Sequence, residues 1–229
     1  MSRYLFEPQP QPACAIVGDH RLFPVRRIFC VGRNYAAHAR EMGADPDREP
    51  PFFFSKPADA LVPGEATIPY PSNTADLHHE VELVVALHSG GVDIAPDDAL
   101  GHAFGYAVGN DLTRRDRQGE MKKGGKPWEI GKAFDRSAQV GALTAAADCA
   151  GVLDAAIRLD LDGERRQSGR TSDLIWSVAE TIAILSRSFE LKAGDLIFTG
   201  TPEGVGPIAR GQTVVAGIDG LAPIRLEVR

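Results

Sequence analysis

Cysteine is scarce in this chain. Its 229 residues hold three, Cys14, Cys30 and Cys149, widely spaced and without a CxxC pair. That excludes a disulfide framework or a zinc ribbon and fits a reducing compartment. Long apolar runs are missing as well. No uncharged stretch approaches the length of a membrane span. The opening residues, Met1-Ser2-Arg3-Tyr4-Leu5-Phe6-Glu7-Pro8, have no apolar core of the kind a signal peptide needs. The expectation is a cytoplasmic protein with no membrane partner. Basic charge is not in excess, since 25 Lys and Arg against 31 Asp and Glu leave a net charge of −6. No overall positive field exists to draw in nucleic acid. An anionic substrate would have to be met by a bound cation or by local Arg and Lys. HExxH and GK[ST] spacings are absent too, so neither a zincin site nor a phosphate loop is supported.

What is present reads as one β-rich domain. Hydrophobic residues make up 43% and charged residues 24%, with 24 glycines and 16 prolines to serve many turns. Residues 1–25 are punctuated by proline and carry one strand-like piece, Ala15-Ile16-Val17, before a Gly18-Asp19 turn, which reads as a short N-terminal flap. Residues 26–229 form the main domain. Short apolar strands at Ile28-Val31, Phe52-Phe54, Ala103-Val108 and Leu196-Thr199 lack regular βαβ alternation. Between the first two lies a short helix with Asn34 as N-cap and Gly43 beyond its end. Ile157-Leu161 alternates cleanly and runs into Asp162-Gly163, a two-residue hairpin turn. Ser172 is read as the cap of a helix in which Leu174, Ile175, Val178, Ile182 and Leu185 recur at helical spacing. The fold class is α+β, dominated by strands.

Chemistry concentrates in Leu77-His78-His79-Glu80-Val81-Glu82-Leu83-Val84-Val85. The Val and Leu content argues for a strand, whose side chains alternate faces. Glu80 and Glu82 then project to one side, their Cα atoms roughly 6–7 Å apart at about 3.3 Å rise per residue. Two like charges on a half-buried face call for a positive partner. A hard divalent cation, which takes oxygen ligands and keeps positions for water and substrate, is the simplest one. A solvent-exposed acidic edge strand is the competing reading. Asp111, at the end of the Gly105-Asn110 strand, would complete a three-carboxylate oxygen site; alone it would be a turn or cap residue. Of His78 and His79, one is read as backing the site and the other as surface.

Other candidates surround this triad. His38 and Glu41 are three apart on the alanine-rich helix, hence on one face, where a carboxylate would orient an imidazole as a general base; a functionless surface pair is the alternative. Arg115 and Gln118 follow Asp111 by four and seven residues, one face if the segment is helical. Lys132 is a lone cation among aromatic and small residues. Gly200-Thr201-Pro202-Glu203-Gly204 is read as a tight turn offering backbone N–H groups and Thr201 to a carboxylate.

Six ordered motifs then resemble the fumarylacetoacetate hydrolase superfamily: Gly32-Arg33-Asn34-Tyr35, His79-Glu80-Val81-Glu82, Asn110-Asp111-Leu112-Thr113-Arg114-Arg115-Asp116, Gly131-Lys132-Ala133-Phe134-Asp135, Gln167-Ser168-Gly169-Arg170-Thr171-Ser172 and Thr199 to Gly206. Within it, residues 45–54 and 56–60 are similar to the bacterial fumarylpyruvate hydrolases of aromatic (gentisate) breakdown. The resemblance implies a mixed β-sandwich roll, a homodimer, and Mg²⁺ or Mn²⁺ on Glu80, Glu82 and Asp111. It implies catalytic roles for His38, Glu41 and Lys132, and substrate contacts at Arg33, Arg115, Gln118 and Thr201. The implied reaction is hydrolysis of the C–C bond of a small diketo acid, a 3-acylpyruvate, with fumarylpyruvate foremost. Decarboxylation or tautomerisation of oxaloacetate on the same site is the alternative.

Overall fold

A computed structural model describes residues 3–35 and 49–229. Its frame is an eight-stranded mixed sheet. From one edge the strands run Phe52–Lys56, Arg27–Gly32, Asp195–Phe198, Val81–Leu87, Ala103–Asp111, Ala138–Val140 and Leu61–Pro63, with Thr144–Ala145 also paired to Ala103–Asp111. Against one face packs a five-stranded sheet, Glu164–Arg170, Ala156–Leu161, Thr213–Ile218, Ile224–Val228 and Glu65–Ile68. Val81, Leu83, Val85 and Leu87 point into that interface and meet Ile157, Leu159, Val214 and Leu226. Val84 and Ala86 point the other way, into a second core with Ile28, Cys30, Leu196 and Phe198. The antiparallel hairpin Ala13–Ile16 and Asp19–Pro24 closes this second face with Cys14 and Phe23. Burial on both faces explains why Val81–Leu87 reads as a continuous apolar run. All three cysteines are buried and free. No helix among the described residues is long and apolar enough to cross a membrane.

The hairpin signal at Asp162-Gly163 matches the structure. Both residues take positive φ, 51° and 84°, and join Ala156–Leu161 to Glu164–Arg170, as a right-twisted two-residue turn demands.

Two local expectations need correction. Leu77 to Leu87 is not one strand. It breaks at Glu80 into Leu77–His79, which pairs with Thr113–Arg114 and Gly206–Pro207, and Val81–Leu87. The helix expected from Ser172 starts at Val178 and runs to Ser188. Ser177 is its cap, in a reciprocal capping box with Glu180. Leu174 and Ile175 are drawn off because their backbone serves another segment: Tyr35 bridges Leu174, and Ile175 N–H donates to Asn34 O at 2.8 Å. Ser172 instead sits in the 3₁₀ turn Thr171–Asp173 and donates to Asp154 at 2.6 Å.

Candidate metal centre and active site

Register assembles the acidic cluster. Val81 lies opposite Asn110 and Glu82 opposite Gly109. One further step of that antiparallel ladder sets Glu80 opposite Asp111, and Asp111 N–H donates to Glu80 O at 2.8 Å. Glu80 N–H is taken by the Asn110 side chain at 3.0 Å, so the break in the strand is anchored on both sides. Glu80, Glu82 and Asp111 therefore share one face, and opposite Glu82 the Cβ position that Gly109 lacks is filled by Val84 and Phe198. The relative exposures of the three acids are 5%, 2% and 0%, and one oxygen from each falls within 4.8 Å of the other two. The exposed acidic edge strand is ruled out.

Three buried carboxylates in one place cost several kcal/mol each unless matched by charge. The chain supplies part of the match. Lys132 Nζ lies 2.7 Å from both Glu80 Oε2 and Asp111 Oδ2, and Lys56 Nζ lies 2.8 Å from Asp111 Oδ1. Arg115 pairs through Nη2 with Glu80 and through Nη1 with Gln118 Oε1, the latter at 2.6 Å. Burial would lower the Lys132 pKa, but the charges of Asp111 and Glu80 outweigh it and hold the ammonium above its usual range. Glu82 makes no such ion pair with any described residue. It accepts Gly200 N–H at 2.7 Å, and burial, then the charges of Asp111 and Glu80, push its carboxyl well above the ordinary range. Clustered hard oxygen donors of this kind fit Mg²⁺ or Mn²⁺, and each carboxylate oxygen can accept in a second direction beside its lysine.

The supports come from distant parts of the chain. Gly200 stands at φ 104°, and a Cβ there would come 2.8 Å from that of Asn34. Only glycine allows this turn to present its N–H to Glu82. Asn34 donates to Thr199 O and Trp176 O at 2.8 and 2.9 Å and accepts Trp176 N–H. Gln167, buried in the five-stranded sheet, uses its whole amide. Oε1 accepts Val81 N–H at 3.1 Å and faces His79 Nδ1 at 3.0 Å; Nε2 donates to Thr201 Oγ1 at 2.8 Å and Pro202 O at 2.9 Å. It thus grips the residues on either side of Glu80 and the turn that follows Gly200.

The candidates fall as follows. Glu80, Glu82, Asp111, Arg33, Arg115, Gln118, Lys132 and Thr201 all line one pocket, with Phe54 and Trp128. Asp111 ends a strand, so it shares no helical face with Arg115 and Gln118, which open the helix Arg115–Lys123. His38 and Glu41 lie outside the described residues. Neither neighbouring histidine is a surface residue. His79 is fully buried against Gln167, and burial lowers its pKa. His78 is half-buried between Asp76 and Arg115, which makes it the one that reaches the site. Cys30 comes near the cluster, yet burial and Asp111 push its thiol far up, so it offers no thiolate.

Lys56 was missed as a site residue. The signal for it was weak but present: Phe52, Phe54 and Lys56 alternate onto one face, and that face meets Lys132, whose Nζ lies 5.1 Å from the Phe54 ring centre.

Residues 27–229 match the family model described as fumarylacetoacetate (FAA) hydrolase C-terminal. The chain belongs to that family, whose members are enzymes, and it has that family's β-dominated fold. It superposes with a TM-score of 0.96 on the crystal structure of fumarylpyruvate hydrolase from Pseudomonas aeruginosa in complex with Mn²⁺ and pyruvate, at 55% identity over 99% of both chains. It is also 41% identical to oxaloacetate tautomerase YcgM of Escherichia coli (strain K12), over 86% of this chain and 90% of that protein. The mouse mitochondrial oxaloacetate tautomerase FAHD1 is 41% identical over 89% of this chain and 92% of that one.

Proposed function

We propose that this enzyme hydrolyses the C–C bond of a 3-acylpyruvate, fumarylpyruvate above all, to a carboxylic acid and pyruvate. The observation that carries the reading is the buried triad of Glu80, Glu82 and Asp111 in a pocket with a charged lysine. The likeness over 99% of its length to a fumarylpyruvate hydrolase holding Mn²⁺ and pyruvate supports it.

In this reading Glu80, Glu82 and Asp111 hold Mg²⁺ or Mn²⁺. The bound ion supplies chelation of the pyruvoyl end and Lewis-acid polarisation of its keto group. His38 and Glu41 take a proton from water, whose oxygen adds to the distal C4 carbonyl. The C3–C4 bond breaks, its electron pair passes to the pyruvate fragment as an enolate, and C3 regains a proton. Lys132, held charged by Glu80 and Asp111, stabilises the enolate oxygen as the charge develops. Arg115 fixes Glu80 and Gln118. The Gln118 Nε2, which has no protein acceptor among the described residues, donates to the pyruvoyl carboxylate. Thr201 lines the same wall. The enzyme acts as a homodimer.

Similarity to two oxaloacetate tautomerases favours a second reading, in which the site moves a proton between C3 and oxygen and no water attacks. One preparation loaded with Mg²⁺ or Mn²⁺ and given fumarylpyruvate, acetylpyruvate and oxaloacetate separates the two. Hydrolysis predicts fumarate and pyruvate in equal amounts, with fumarylpyruvate the best substrate by kcat/KM. Enol–keto interconversion of oxaloacetate, with no acid released from either acylpyruvate, would overturn it.

A further inference from the structure

One wall of the pocket is held from behind by side chains that do not reach it. Leu77–His79 pairs with Thr113–Arg114, which sets His78 opposite Thr113 and leaves Arg115 to open the helix Arg115–Lys123. Arg115 N–H donates to Asp76 O at 2.8 Å. The loop before the strand is tied to the same helix, since Asp116 accepts from Thr74 Oγ1 at 2.7 Å and from Ala75 N–H at 3.2 Å. On this frame four side chains form one line of contacts. His78 Nε2 lies 2.9 Å from Asp76 Oδ1, Arg115 Nε donates to His78 Nδ1 at 3.3 Å, and Arg115 Nη1 donates to Gln118 Oε1 at 2.6 Å. Gln118 and Arg115 line the pocket with the triad; among its described lining residues neither Asp76 nor His78 is found.

The chemistry of the links gives the line one direction. Arginine only donates, so the ring nitrogen that faces it, Nδ1, keeps its lone pair. The neutral ring then carries its hydrogen on Nε2, where the Asp76 carboxylate only accepts. At the other end Nη1 takes the Gln118 carbonyl, and the amide turns its N–H groups to the pocket. We infer that Asp76 and His78 are positioning residues: Asp76 fixes the tautomer of His78, His78 fixes the roll of the Arg115 guanidinium, and through Arg115 the pair holds Gln118 as a donor toward the substrate carboxylate. The inference rests on the proposed function, in which Gln118 receives the pyruvoyl end. With the Nε contact gone, Arg115 regains rotamer freedom and Gln118 loses its fixed partner.

Pyruvate binding to the Mn²⁺-loaded protein tests this without turnover. Leu and Asn have similar shapes, and only Asn offers an oxygen where Nδ1 stands. His78→Leu should weaken pyruvate about tenfold, as the loss of one hydrogen bond to a charged group implies, while Mn²⁺ affinity does not fall. His78→Asn should recover most of that loss. In a Gln118→Leu background, His78→Leu should cost nothing further. Nitrogen NMR of the Mg²⁺-loaded wild type, with the His78 signals assigned by their disappearance in His78→Asn, should show hydrogen on Nε2 and none on Nδ1. Unchanged pyruvate affinity in His78→Leu, a parallel fall in Mn²⁺ affinity, no recovery in His78→Asn, an undiminished loss in the Gln118→Leu background, or hydrogen on Nδ1 would each overturn the inference alone. A wild type that fails to bind pyruvate would overturn the role of Gln118 in the proposed function and this inference with it.

Discussion

Two buried aspartates sit on the same eight-stranded sheet, each between two cations. Asp195 opens the strand Asp195–Phe198 and is gripped by Arg26 and Arg27 at 3.0 and 2.8 Å, and by Lys192 N–H at 3.0 Å. Asp111 closes Ala103–Asp111 between Lys56 and Lys132. Both are fully buried. The difference lies in the company. Asp195 is a lone acid whose arginines keep their outer surfaces in solvent, 40% and 32% exposed at the side chain. Its charge is spent on tying Arg27–Gly32 to its neighbour. Asp111 shares its space with Glu80 and Glu82, its lysines are buried, and the whole group opens onto a pocket. A buried, paired charge is therefore poor grounds for function, whereas several carboxylates converging on one cavity, one of them (Glu82) without an ion-pair partner among the described residues, call for a ligand from outside.

Substitutions at the two places should separate in the same way. The largest effect is expected at Glu82. Glu82→Ala removes a proposed metal ligand and the acceptor of Gly200 N–H, and should abolish metal-dependent turnover while the circular-dichroism spectrum stays native. Turnover close to wild type would dissolve the contrast. Lys132→Met comes next. With the enolate oxygen unattended, kcat should fall about 10²–10³-fold, while Mn²⁺ binding by titration is retained or tightened because a competing cation has gone; an unchanged kcat would remove Lys132 from the chemistry. Gln167→Met keeps volume but drops four hydrogen-bond contacts around Glu80 and Thr201. Mn²⁺ affinity should weaken roughly ten- to a hundredfold, the usual loss when the supports of a ligand go. Asp195→Asn should be smallest at the site. Mn²⁺ affinity and kcat/KM should match wild type, while stability by urea unfolding drops by about 2 kcal/mol for the lost charged hydrogen bonds. A change in metal affinity there would mean that the two aspartates are coupled after all.

The sequence carried the centre of the site because period-two alternation and an adjacent antiparallel strand are local facts. Glu80, Glu82 and the strand-end Asp111 need no long-range information beyond one pairing. What supports them could not be read that way. Lys56 donates to Leu112 O, 56 residues on, and Asn34 to Thr199 O, 165 residues on. Asn34 carries no periodic signal, and the alternation that puts Lys56 on a face with Phe52 and Phe54 does not say what that face meets. Asn34, read as a cap for the helix after it, also has its amide engaged by two remote carbonyls. The helix starting at Ser172 failed for a related reason: Leu174 and Ile175 fit the helical period, but their backbone groups are taken by Tyr35 and Asn34, and the Ser177–Glu180 box five residues later sets the start. Likewise the break at Glu80 is invisible in an apolar run, since it depends on Asn110 receiving the Glu80 N–H.

The most direct test is anomalous diffraction from crystals soaked in Mn²⁺. The account predicts one strong peak per chain, within about 2.2 Å of oxygens from Glu80, Glu82 and Asp111, and no peak there in Glu82→Ala. A triad without a peak in the wild type, or a peak bound elsewhere by other residues, would contradict it.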